Sequence, residues 1–290
     1  MHLRGQAEGL IEDSWTCPTV VYKRQVQSSL SCTNTSLLTW LSVTVNFVIH
    51  SQTKKITQMA STFTIKTVEP SAAHTHTIIN LHGRDSTAEE YCEEFFESED
   101  SSGRTILEAF PHVKWVFPTA ARIVSERFGS EMSQWFDMWT TNDPNERCND
   151  QRTQLRESIS EIAKIVSQEI AILGTAKNAV LCGISQGAVT AFATLLQIEE
   201  PLCAFVAFST WMPGCVSLPE SRLSNQTAPM FLAHCEDDEV IDFKYGAAFS
   251  EALIACGKSP EFHSYSTGGH WFNEPCGIDD LIEFLQRVMR

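Results

Sequence analysis

From residue 60 onward the chain alternates between two textures, and this alternation narrows its possible folds more than any other feature. Short apolar runs recur at 63–68 (FTIKTV), 77–81 (TIINL), 113–117 (VKWVF), 179–182 (AVLC), 204–208 (AFVAF), 230–235 (MFLAHC) and, less cleanly, 261–265 (EFHSY). Their hydrophobicity is continuous rather than alternating, as strands require when both faces of a sheet are covered. Between them lie helical patterns at 86–97, 144–173, 186–198, 243–256 and 277–289. In the longest, Leu155, Ile159, Ile162, Val166, Ile170 and Leu173 recur at the spacing of one helix face. Such an order predicts an α/β protein with an open, doubly wound, mostly parallel sheet. A single domain over 59–290 accounts for all of it.

Reactive groups in such a sheet belong at the carboxyl ends of the strands. The run Gly183-Ile184-Ser185-Gln186-Gly187 falls there, after NAVLC and before a helical pattern. Turning from strand to helix within a few residues strains the backbone at the serine, and residues without side chains on either side let strand and helix approach. The hydroxyl then projects above the sheet as a nucleophile. The plainer alternative is that the glycines end a strand and Ser185 caps the next helix.

A serine hydroxyl needs a base. Of nine histidines, His270 is the best placed, because it follows the last strand in YSTGGHWF and Gly268-Gly269 frees its loop to fold back over the sheet. His112 and His263 sit at or within strand-like runs and read as structural; His74 and His76 offer only a weak two-ligand hint of a metal. The acidic cluster EDDEV (236–240) ends another strand and could orient the imidazole. The resulting chain order of serine, acid and histidine is that of the α/β-hydrolase arrangement. NLHGRDS (80–86) ends a further strand. Its Arg84 N–H and the Gln186 N–H are the natural donors to an oxyanion, and His82 reads as shaping that turn.

Charge and cysteine usage bound the partners. A net charge of −15 argues against nucleic acid and against a polybasic hold on anionic membranes. None of the ten cysteines is spaced CxxC, and Cys182, Cys203 and Cys235 lie inside apolar runs. They read as buried free thiols in a reducing compartment, which places the protein in the cytoplasm. Residues 1–58 differ from the rest: five basic residues stand against three acids, leaving −17 on the remainder. Their one apolar run, 37–49, is too short and polar to span a bilayer. Met59 would serve as a natural start, so 1–58 is expected to be a dispensable extension, with a late signal-anchor as the alternative.

Taken together, LHGRDS, WVFPTA, SERFGSEMSQWFDMW, GISQGAV, FSTWMPG, HCEDDEV and GGHWF, in this order, resemble the phospholipase/carboxylesterase family, which includes the acyl-protein thioesterases, and its fungal members above all. The resemblance covers about residues 76–290. It implies a cofactor-free, metal-free hydrolase of esters or thioesters with nucleophile Ser185, base His270 and acid Asp238, Asp237 being the runner-up. It also implies an acyl channel near Trp135, Phe136, Trp139, Trp211 and Met212. S-acylated proteins would be the substrates, with lysophospholipids or small esters as the alternative. Three departures stand out: Asp85 and Cys235 where the family usually has glycine, and Glu239 where proline is common. Asp85 is the one feature that favours an inactive hydrolase fold binding a hydrophobic ligand.

Overall fold

The computed structural model describes residues 63–216, 223 and 226–290. All of these fall within one compact unit, and the extension expected over 1–58 lies outside the described residues. Each of the seven apolar runs is a strand of one sheet: β1 (Ile65–Val68), β2 (His76–Leu81), β3 (Val113–Pro118), β6 (Ala179–Ile184), β7 (Ala204–Phe208), β8 (Met230–Cys235) and β9 (Glu261–Tyr265). The order across the sheet is β1-β3-β2-β6-β7-β8-β9, parallel throughout except for β1. A small antiparallel hairpin, β4 (Arg122–Val124) with β5 (Glu131–Ser133), stands apart.

The helices are α1 (Ala88–Glu97), α2 (Ile106–Ala109), α3 (Cys148–Leu173), α4 (Gln186–Leu195), α5 (Phe243–Ala255) and α6 (Cys276–Val288). They make two layers because successive strand residues point to opposite faces. In β6, Ala179 and Leu181 join a core with α3, α4 and α5, whereas Val180, Cys182 and Ile184 join one with α1 and α6. Every residue of β6, β7 and β8 is buried, which the unbroken apolar runs anticipated. Burial raises the thiols of Cys182, Cys203 and Cys235 above their usual pKa, the last two to about 11. No helix among the described residues is long and apolar enough to cross a membrane.

Candidate active site

Strand β6 ends in a turn whose backbone leaves almost no freedom. Ser185 has φ 54° and ψ −124°, outside the comfortable regions for a residue with a side chain. A methyl group on Gly183 would lie 2.7 Å from the Gly187 carbonyl carbon, and one on Gly187 would lie 2.4 Å from both the His82 and Leu81 oxygens. Glycine at 183 and 187 is therefore what lets β6, α4 and the end of β2 converge beneath the serine. The Ser185 amide donates to Phe208 O and Thr210 Oγ1 donates to Ser185 O, so β7 pins the turn from the other side. Gln186 opens α4, where backbone N–H groups have no partner in the preceding turn and the helix dipole is positive.

The acid and the base come together from two other strand ends. His270 Nδ1 lies 2.8 Å from Asp238 Oδ2; the carboxylate is fully buried and the imidazole is 22% exposed. Asp238 Oδ1 accepts from the amides of Val240 and Ile241, both at 2.9 Å. His234 Nε2 adds a contact at 3.2 Å to the same Oδ2 that His270 uses, and lies 2.9 Å from Ile241 O. Two acceptors at Nε2 fix the tautomer with its proton there. Burial alone would raise the Asp238 carboxyl, but hydrogen bonds from His234 and His270 outweigh it and hold the group well below the usual carboxylate range. Asp237 does something different: its oxygens accept from the amides of Gly269 at 2.8 Å and Gly268 at 3.3 Å, tying down the loop that carries His270. Cys235 sits under that loop, and a methyl group on Gly268 would lie 2.5 Å from its sulfur. The thiol thus fills space that Gly268, at φ 137°, leaves open.

The third loop follows β2. His82 is fully buried, with Nε2 accepting from Ala120 N at 3.0 Å and Nδ1 donating to Gly83 O at 2.6 Å. Burial lowers its pKa to about 4, so it is a neutral brace for the turn, as the sequence suggested. A methyl group on Gly83 would lie 3.7 Å from Ser185 Cβ, which sets this loop against the serine. Asp85 adopts φ 63°, the left-handed backbone that glycine takes without strain, and its carboxylate is at the surface.

Ser185 and His270 line one cleft of about 210 Å³ together with Gly83, Arg84, Ile184 and Trp271. A hydroxyl that shares a cleft with an imidazole backed by a buried carboxylate, with a helix N-terminus alongside, has the groups that nucleophilic acyl transfer needs. Residues 63–289 match the phospholipase/carboxylesterase family. The chain belongs to that family. It is 31% identical over 218 residues to acyl-protein thioesterase 1 of Yarrowia lipolytica, covering 74% of this chain and 91% of that one. With acyl-protein thioesterase 1 of Cryptococcus neoformans it shares 27% over 238 residues, covering 77% and 96%. The crystal structure of Zea mays acyl-protein thioesterase 2 superposes with a TM-score of 0.63 at 25% identity, covering 78% of this chain and 99% of that one. Membership makes this protein a hydrolase of esters and thioesters.

None of the five residues expected along an acyl channel is among those that line the cleft of Ser185 and His270. Trp135, Phe136 and Trp211 are at most 1% exposed and belong to the core on the α3–α4 side, not to the cleft. Trp135 is committed twice, its indole N–H to His82 O and its amide to Gln186 Oε1, both at 2.8 Å. Trp139 lines a different hollow, with Arg147 stacked 4.4 Å over its ring, and Met212 packs against the same core as Trp211. The apolar walls of the cleft are instead Tyr91, Met138, Ile184, Val240 and Trp271. Trp271 adjoins His270 in sequence and Val240 adjoins the acid, a neighbourhood signal that aromatic content alone obscured. His234, four residues before Asp238 at the end of β8, was likewise hidden inside an apolar run. His74 and His76 bond to Thr77 and Thr75, and among the described residues no group of three or more His, Cys, Asp or Glu could hold a metal ion.

Proposed function

We propose that the protein hydrolyses carboxylic esters and thioesters through an acyl-enzyme on Ser185. The serine hydroxyl attacks the acyl carbonyl while His270 takes its proton, and Asp238 holds the imidazole by Nδ1 and stabilises the imidazolium. The amides of Arg84 and Gln186 receive the oxyanion, each such donor being worth about 3 kcal/mol in the transition state. His270 then protonates the departing thiol or alcohol, and water, activated by the same imidazole, releases the acid. Apart from that water, each step uses groups of this chain.

The observation that carries this reading is the 2.8 Å contact between His270 Nδ1 and the buried Asp238, with His270 and Ser185 on one cleft. The thioesterase names of its relatives support S-acylated proteins as substrates, and small acyl esters suit the same chemistry. Buried thiols fit a reducing, cytoplasmic setting. A fluorophosphonate probe tests the mechanism: labelling of Ser185 that disappears in Ser185→Ala is the expected result. An inert wild-type protein that still binds a fatty ligand would replace the enzyme with a binding module.

A further inference from the structure

The cleft beside Ser185 is small for a long acyl chain. It holds about 210 Å³. An engineered apolar cavity of about 150 Å³ is filled by benzene, and pockets for drug-sized ligands begin near 300 Å³. None of the residues at which a longer channel was expected lines this cleft, and Trp135 borders a separate hollow with Phe63 and α3. Trp135 and Phe136 are 1% and 0% exposed, and the Gln186 side chain bridges them, accepting from Trp135 N and donating to Phe136 O at 2.7 Å. Trp211 is 1% exposed on the next strand end. Arg84 and Glu94 also line the cleft, so an alkyl chain that outgrows the apolar walls meets charge and water.

We infer that this cleft selects short acyl groups, holding about eight carbons and leaving the remainder of a longer chain in solvent. The inference rests on the acyl-enzyme reading above. Its physical content is a break in a chain-length series. Each methylene buried against Tyr91, Met138, Val240 and Trp271 raises kcat/KM by about fourfold, and each methylene left in water raises it not at all.

The test is kcat/KM of the full-length protein for soluble acyl thioesters from two to sixteen carbons, each kept below its micelle concentration. The expected series climbs by about fourfold per methylene to near eight carbons and then flattens, with the sixteen-carbon substrate no more than about threefold above the eight-carbon one. A larger ratio overturns the inference, and so does a series that is flat from the start. Thr141→Phe, which narrows the cleft, is expected to lower the eight-to-two-carbon ratio at least about tenfold. Val240→Phe serves the same purpose if that variant does not fold, and an unchanged ratio in the folded variant overturns the assignment of these walls. No turnover at any length, with Ser185 unlabelled by fluorophosphonate, overturns the acyl-enzyme reading and this inference together. Labelled Ser185 with the longest chain favoured overturns the inference alone.

Discussion

The loop that carries Ser185 and the loop that carries His270 are held in opposite ways. The first is fixed by backbone against backbone: Gly183 and Gly187 leave β6, α4 and the end of β2 no space for even a methyl group. The second is fixed by carboxylates, Asp238 on the imidazole and Asp237 on the Gly268 and Gly269 amides. A sterically held loop is indifferent to protonation and fails only when atoms collide. A loop held by charge-assisted hydrogen bonds can be loosened one bond at a time, with chemistry changing before the fold does.

The largest expected effect separates the two carboxylates of the second loop. Asp238→Asn retains the shape but offers His270 an amide in place of the anion, and kcat should fall about 10⁴-fold, as when a triad loses its correct tautomer. Asp237→Asn removes only part of the loop anchor and should cost about tenfold or less. Steady-state kinetics on one activated ester decides the matter; equal losses would mean that the loop anchor and the imidazole partner are not separate functions.

The steric loop should break by instability. Gly187→Ala is expected to cost about 4 kcal/mol or more, because its new methyl meets two backbone oxygens that cannot swing aside. Gly83→Ala is the control: its methyl would lie in ordinary contact with Ser185 Cβ at 3.7 Å, and stability should change by less than about 1 kcal/mol. Urea unfolding of both variants makes the comparison. A stable Gly187→Ala would show that β2 can retreat from the elbow.

A third measurement uses pH, to which the brace behind the loop after β2 responds. His82 titrates near 4 in the fold against 6.5 when exposed, so folding favours its neutral form. The associated stability is fully present above pH 6.5 and is lost as the pH falls toward 4, about 3 kcal/mol in all. Unfolding free energies at pH 7.5 and 4.5 should differ by roughly that amount from His82 alone. In His82→Gln the acid-side slope should be shallower, while the neutral-pH stability drops because the Ala120 N–H and Gly83 O lose ideal partners.

What was legible in the sequence follows the same division. The seven strands and five longer helices could be read because buried strands are continuous and helix faces periodic, both local properties. The placing of Ser185 and His270 at strand ends could be read because glycines mark the turns that present them. The hairpin of β4 and β5 was not legible, since three-residue strands with largely exposed side chains carry no period. The cleft walls were not legible for a different reason. Trp135 and Trp271 are the same residue type near the same loops, and which one faces the cleft depends on partners distant in sequence: His82 O and Gln186 for the first, the edge of Tyr91 for the second.

The smallest expected effect tests the departure that most set this sequence apart. Asp85 occupies a left-handed backbone position, φ 63°, that costs an L residue about 1–2 kcal/mol, less for aspartate than for most. Asp85→Gly relieves that strain and returns part of the gain as entropy of the unfolded chain, about 0.5–1 kcal/mol. A net rise of no more than about 1 kcal/mol, or about 2–4 °C in Tm, is expected. The carboxylate lies outside the cleft lining, while its amide donates to Ser133 O at 2.7 Å, a bond that glycine keeps. Activity should therefore stay the same or rise by about twofold at most. A sharp loss would mean that the Asp85 charge, felt by the Arg84 guanidinium, steadies the Arg84 backbone. That result would place the loop after β2 beside the His270 loop, among those held by charge.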